Sequence, residues 1–585
     1  MPSTTALFTG LSGLTANSRS IDVIGNNIAN VNTTAYKSSR LMFSTVFSRN
    51  LGTGSAPSDV SGGTNPFQIG LGVRIAGTQR NTTAGSVTAT GDSRDLAIDG
   101  QGYFVVNRGG TEMFTRAGAF RQNENNDLVT ISGEKLRGFA VDQSFNIIPG
   151  QLVDLNIPVG SMTLAQATTQ LNFSGNLNSD GAVPTQGASL SLMGTATNGL
   201  HAITTAAPPP AAGDVLETTT RLVDIEDPAQ AGSDNPLFTT GQVLELSGAD
   251  KGGKAIPKAS LTITATTTVQ DLNDFLAAAM GIDTTGGANP DGATPGISLD
   301  PTTGTINIVG NTGTVNDLSI ATGDIRLLSS SGTFVKSPFN MSKAGSANGE
   351  SVRTTFIAFD SLGSPVEIDL AMVMDSKSSS GTTWHYYVDS ADDSDLALAV
   401  GAGTISFDNQ GQPTTTNPIA VTIDRAGTGA ATPLSLDLNF TGSGSGVTSL
   451  SDSQSNLAAV SRDGAPIGTL SGFAVGPDGV ISGSFTNGLT RTIGQVALAT
   501  FANPEGLVDQ GNSLFTAGAN SGSPTITGPG TFGAGQIVGG ALELSNVDLG
   551  EEFIKLILAS TGYSASSRVI KTTDDLMQQL LVLGR

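Results

Sequence analysis

Hydrophobic residues return every seven positions at two places in the chain, one near each end. Near the start, Leu7, Leu14, Ile21 and Ile28 keep that spacing, with Leu11 on the adjoining seam. Towards the finish, Leu549, Leu556, Tyr563, Ile570 and Met577 do the same, with Phe553 and Leu581 beside them. A repeat of seven split into three and four lays one apolar stripe along a helix, so the pattern predicts a helix at each end. The second seam is poor: Ser18 and Gly25 occupy it in the first helix, and Ser560, Ser567 and Asp574 in the second. A two-stranded coiled coil wants apolar residues at both seams. Each helix therefore has a stripe to bury but gains little as an isolated pair. Asn546, just ahead of the second run, is suited to cap it.

Between the ends the pattern shortens to that of strands. Asp99-Gly100-Gln101-Gly102 is a glycine-punctuated turn leading into Tyr103-Phe104-Val105-Val106. Asp478-Gly479, between Phe473-Ala474-Val475 and Val480-Ile481, predicts a hairpin with a type I′ turn. Thr490 to Ala499 reads as a further strand. One internal helix stands out, where Leu272, Phe275, Leu276 and Met280 share a face and Gly281 stops it. Breaks are expected at the Pro208-Pro209-Pro210 stretch, at Gly286 to Gly292, and at Ser443-Gly444-Ser445-Gly446. There is no fixed-period repeat of the solenoid kind.

Composition narrows the chemistry. The 585 residues include 28 Lys and Arg against 50 Asp and Glu, a net charge of −22, and no cysteine. Disulfides, thiolate metal sites and cysteine nucleophiles are thereby excluded. His201 and His385 cannot supply a three-histidine metal site. The acidic balance argues against nucleic acid as a partner. No apolar run approaches the ~18 residues that span a bilayer, so no membrane insertion is expected. Met1 to Thr5 lacks a basic region followed by an apolar one, so no cleaved signal is expected. Charged residues are only 13% of the chain, against roughly 25% in ordinary domains, and glycine, at 75 residues, is about twice its usual share. These features suit a turn-rich β protein that works outside the cell.

Catalytic, cofactor and metal chemistry find no support. Asp389, Asp392, Asp393 and Asp395 lack the spacing of a calcium loop. They read as a solvated acidic loop. Trp384-His385-Tyr386-Tyr387 reads as an alternating strand, half core and half surface. His385 with Asp389 has no Gly-x-Ser-x-Gly elbow to complete a triad. Phosphate-loop motifs are absent. The expectation is a protein that is not an enzyme and needs no cofactor.

The stretch Asn26 to Lys37 carries a specific resemblance. Its Asn30, Asn32, Thr34, Tyr36 and Lys37 resemble the signature of the bacterial flagellar axial proteins, the rod, hook and hook-associated family. Ala35 stands where that family has glycine. Asp95 to Phe104, with Asp99, Gly100 and Gly102, is similar to the family's strand-turn motif, and Phe114 to Phe120 follows in order. Phe501 to Leu507 resembles the hook members more than the rod members. Ser545 to Phe553, with Asn546 and Asp548, resembles the lead-in to the family's C-terminal helix. Beyond it only Tyr563 of the family's usual pattern is kept. Thr354 to Gly363 looks like an outer-domain strand pair of hook proteins.

The resemblance implies a mainly β, multi-domain protein with paired, coiled-coil-like N- and C-terminal α-helices, antiparallel or parallel, and outer β domains inserted between the terminal halves. Its parts are 1–30 with 548–585 as a helical inner-tube domain, and 31–75 with 535–547 as a connecting segment. A β-rich inner domain takes 76–160 with 455–534, an outer β domain 161–205 with 340–454, and a further α/β insertion 206–339. It implies a structural subunit of the hook, self-assembling into a curved flexible tube outside the cell that acts as a universal joint between rod and filament. The implied partners are the chain itself as a helical homopolymer, the distal rod, hook cap and hook-filament junction proteins, and the flagellar type III export apparatus. The two apolar stripes named above are the expected assembly interface. Alternatives are a distal rod or hook-associated protein and, from another class, a secreted β-rich adhesin.

Overall fold

The structure, a computed structural model, describes residues 3–583 apart from 195–198, 204–214, 231–234, 415–417, 442–445 and 452. The triple-proline break and most of the Ser443–Gly446 break fall outside the described residues. The chain divides into two compact units. The first joins Met1–Thr163 to Thr469–Arg585, and the second is the continuous stretch Leu164–Gly468. Three α-helices occur among the described residues: α1 (Ser3–Ala29), α2 (Val269–Ala279) and α3 (Leu549–Leu583).

The first unit is stitched from both halves of the chain. Its central strand Tyr103–Arg108 lies antiparallel between Thr111–Thr115 and Lys135–Val141. The C-terminal half adds Leu498–Thr500 against the central strand, Thr490–Val496 against Lys135–Val141, and Leu514–Thr516 against Thr111–Thr115. Gln536–Gly539 pairs with Leu96–Asp99, and Ala541–Glu543 with Val87–Ala89. Tyr103 to Val106 are consecutively buried, as a strand covered on both faces must be. Around them Tyr103 and Phe114 meet Phe501 edge-on at 5.9 and 4.8 Å. A two-stranded ribbon leaves this body, with Ser39–Thr45 on Val73–Arg80 and Ser48–Gly52 on Phe67–Gly70. At its base the Arg80 guanidinium sits 4.5 Å above the Phe515 ring, and Gln79 donates to Glu505 at 3.1 Å. Glu505 belongs to the hook-like Phe501–Leu507 stretch.

The hairpin at Asp478-Gly479 exists, but its turn is not type I′. Val475 and Val480 are joined by four residues, with the Gly479 N–H donating to the Gly476 carbonyl. A type I′ turn needs positive φ at both central residues. Here Gly479 has φ +75° and Asp478 is not among the residues with positive φ. Pro477 fixes its own φ near −65°, which suits the second position of a type I turn.

The second unit holds two apolar cores. One is a sandwich. The long antiparallel strands Ser351–Phe359, Pro365–Ser378, Gly381–Asp389 and Ala399–Asp408 face a five-stranded sheet that includes Gln170–Asn178, Ile419–Ile423 and Leu434–Asn439. Phe173 stacks on Phe440 at 5.0 Å between the layers. Trp384 is fully buried there, while His385 and Tyr387 stack on each other at 4.6 Å on the opposite face of the strand. The other core gathers α2 with strands between Gly187 and Gly345. α2 starts on a capping box in which Thr268 and Asp271 satisfy each other's backbone N–H. It buries Leu272, Phe275, Leu276 and Met280 and stops at Gly281, which has φ +59°. The acidic loop's carboxylates are occupied by backbone N–H groups: Asp392 accepts from Glu367 N on the neighbouring strand, Asp393 from Asp395 N, and Asp395 from Ala397 N. Asp389 pairs with Lys251 at 2.8 Å.

Candidate assembly site

α1 and α3 pack antiparallel. Asn27 meets Glu552, Asn17 meets Gly562, Gly13 meets Ser566, and Gly10 meets Ile570. In that register Ser3 falls opposite Leu576, so the last turns of α3 run past the described start of α1. The seam itself is made of small and polar residues. A side chain on Gly10 would lie 2.9 Å from Ile570, and one on Gly562 would lie 2.9 Å from Asn17. Glycines here bring the backbones close, at a cost in helix propensity of about 1 kcal/mol each. The expected seam leucines flank this contact: Leu7, Leu14, Ile21 and Ile28 are half-buried and Leu11 is exposed.

What the small seam leaves over is an apolar exterior. On α3, Leu549, Phe553, Ile554, Ile557, Leu558, Tyr563, Val569, Leu576, Leu580, Leu581 and Val582 are exposed, with Ile557 at 65% and Leu581 at 70%. Leu556, Ile570 and Met577 are half-buried. Phe8 and Leu11 continue the exposed surface on α1. An exposed apolar surface of this extent is a candidate contact surface.

The two helices are fastened to the β body of their own unit by a polar junction with a buried centre. α1 ends in turns where Asn30 donates to the Asn26 carbonyl at 2.9 Å and Thr33 donates to Asn30 Oδ1. Asn32 is exposed, and Thr34 is half-buried. Ala35 takes φ +56°, the left-handed conformation for which the family uses glycine. Its N–H donates to the Glu543 carbonyl oxygen at 2.9 Å. Asn27 Nδ2 donates to Ser39 O and to Glu552 Oε2, and its Oδ1 accepts from Tyr36 and Ser39 N.

Below it lies the Glu543 carboxylate, with no exposed surface. It accepts from Lys37 Nζ at 2.6 Å, Arg116 Nε at 2.9 Å and Gly85 N at 2.8 Å. Arg116 spends its other donors on the carbonyls of Ile98, Gly100 and Gly102. Gly100 and Gly102 have φ +110° and +128°, which aims those carbonyls inward and explains both glycines. Asp99 ends its strand opposite Gln536. Burial pushes the Glu543 carboxyl up, but the Arg116 charge, the Lys37 ammonium and the Gly85 N–H together hold it below the ordinary value. Burial lowers the Lys37 ammonium despite the pull of Glu543.

Asn546 does not cap α3. The helix begins three residues later, at Leu549, and Asp548 Oδ1 accepts from Glu551 N at 3.1 Å. Asn546 instead ties the connecting strands, accepting from Ser38 N and donating to the carbonyls of Asn81 and Thr83. Sequence reasoning missed Glu543 and Arg116 as a pair, and it missed Ile554, Ile557 and Leu558. Those three depart from the seven-residue repeat it followed.

Four family models match in order along the chain. They are "Flagella basal body rod protein" at 7–37, "Flagellar hook protein FlgE/F/G D1 domain" at 97–183, "Flagellar basal body protein FlaE D2 domain" at 327–465, and "Flagellar basal body rod FlgEFG protein C-terminal" at 538–583. The Flagellar hook protein FlgE of Treponema pallidum is 28% identical over 588 residues, covering 99% of both chains. The chain belongs to the flagellar hook protein family. The FlgE of Caulobacter vibrioides is likewise 28% identical, and that of Escherichia coli 24%, covering 99% and 98% of both chains. A crystal structure of the Helicobacter pylori flagellar hook protein FlgE2 aligns with 77% of this chain and 98% of its own, at 16% identity and a TM-score of 0.35. In this hook-family chain the matched ends coincide with α1 and α3, and the first of the β models opens on the Leu96–Asp99 strand. No helix among the described residues is long and apolar enough to cross a membrane.

Proposed function

We propose that the chain is the structural subunit of the hook of a bacterial flagellum. It polymerises with copies of itself into a curved, flexible tube outside the cell, a universal joint that passes torque from rod to filament. The observation that carries this is the match along the whole length to proteins named flagellar hook protein. The exposed apolar faces of α1 and α3 fit the reading, because a subunit in a tube covers them with its neighbours and contacts that do not close give a helical polymer. In this scheme 1–30 with 548–585 form the inner tube, 31–75 with 535–547 the connection, and 76–160 with 455–534 the inner β domain, corrected at one boundary because Asn456–Arg462 pairs with Gln170–Asn178 and 455–468 goes with the second unit. An outer domain follows at 161–205 with 340–454, and a further insertion at 206–339. The distal rod, hook cap and hook-filament junction proteins are its neighbours, and the flagellar type III export apparatus delivers it.

Electron microscopy of purified protein tests the reading. The full chain is expected to give curved tubes. A chain lacking residues 1–30 and 549–585 is expected to stay a folded, soluble monomer. Straight tubes would mark a rod-type subunit, and tubes from the truncated chain would remove the helices from the interface.

A further inference from the structure

Three chain crossings link the helical pair to the β body of the first unit. One is the segment leaving α1, one the return from the ribbon at 81–89, and one the segment leading into α3. All three meet at a single buried side chain. Lys37 reaches Glu543 from the first crossing, Gly85 N from the second, and Glu543 itself stands on the third. Arg116 closes the set from the body at 2.9 Å. The crossings are also tight: a side chain on Gly85 would lie 2.0 Å from the Leu544 carbonyl oxygen.

We propose that Glu543 is the positioning residue that sets the angle at which the helical pair leaves its β body, and through that angle the shape of the polymer. The proposal rests on the polymer reading above. A buried carboxylate held by three donors from three different segments has one geometry that satisfies all of them, and charge-assisted bonds are the steepest available. Removing any donor leaves a buried charge short of a partner, so the crossings cannot shift independently. Asn546 ties the same strands from a half-buried position, where water can replace its bonds. The helices then act as levers. α3 has 35 residues, so at 1.5 Å per residue it is about 50 Å long, and a tilt of about 5° at the junction moves its far end by about 4 Å. A displacement of that size exceeds what a packed apolar contact between subunits tolerates without repacking.

The test uses the full chain and two variants. Glu543→Gln keeps the shape and removes the charge. Lys37→Arg keeps the charge and moves the donor. Far-UV circular dichroism and thermal melting report folding, and electron microscopy reports curvature and helical twist of the tubes. Both variants are expected to remain folded and to give tubes whose curvature or twist is shifted beyond the wild-type spread, or to lose tubes altogether. A purely stabilising role would lower the melting temperature and leave the tubes unchanged. Folded variants with wild-type curvature and twist therefore overturn the proposal. Global unfolding of both variants overturns it too, since it would make Glu543 a stability residue only. Wild-type protein that forms no tubes would instead refute the polymer reading and take this proposal with it.

Discussion

At Glu543 the physics of one side chain becomes measurable in acid. Its carboxyl sits below the ordinary value of 4.5 in the folded unit. The stabilisation it contributes is therefore complete above the unfolded value and is lost as pH falls through the folded one. The urea midpoint of the first unit should drop below about pH 4.5, and Glu543→Gln should flatten part of that drop. Arg116→Met leaves the carboxylate and three inward carbonyls short of donors. Denaturant melts should show a loss of about 3–5 kcal/mol. Ala35→Gly should act in the opposite direction, by about 1 kcal/mol, because the left-handed backbone at this position strains an alanine. Lys37, Gly100 and Gly102 were legible because each sits in a recognisable stretch. Glu543 was not. It lies in a short alternating run, Leu542-Glu543-Leu544, and nothing local marks it as buried, since Lys37 and Arg116 reach it from the other end of the chain.

At the scale of elements, both terminal helices and α2 follow directly from periodicity. The face that pairs α1 with α3 does not. Gly10, Gly13, Gly562 and Ser566 read as weaknesses in a helix, and only the partner's position turns them into a close-packing seam. The large apolar residues then stay outside, which separates two properties that usually change together. Ile557→Ser with Leu558→Ser touches side chains that are 65% and 67% exposed. Melting of the monomer should change by no more than about 0.5 kcal/mol per site. Sedimentation and microscopy should nonetheless show tube formation abolished. Equal losses in both measurements would place these residues in the monomer core.

At the scale of the molecule, the two units differ in how the chain builds them. The second is continuous from Leu164 to Gly468 and owns its cores. Expressed alone, that fragment should be monomeric and melt cooperatively, as calorimetry can check. The domain plan was legible at its ends, where motifs lie. It was faint in the middle, where alternating strands of two cores follow one another with no change of composition. The first unit has the opposite construction. Strands from residues 96–141 lie beside strands from residues 490–543, so ribosomal synthesis finishes the whole second unit before the first can close. Until then α1 has no antiparallel mate and the Glu543 pocket has no acid. Long-range pairing of this kind is slow to form. The interlaced ends thus work as a clock: α3 follows the whole second unit in the chain, so the antiparallel helical pair that the proposed tube would use cannot form until both units have been made.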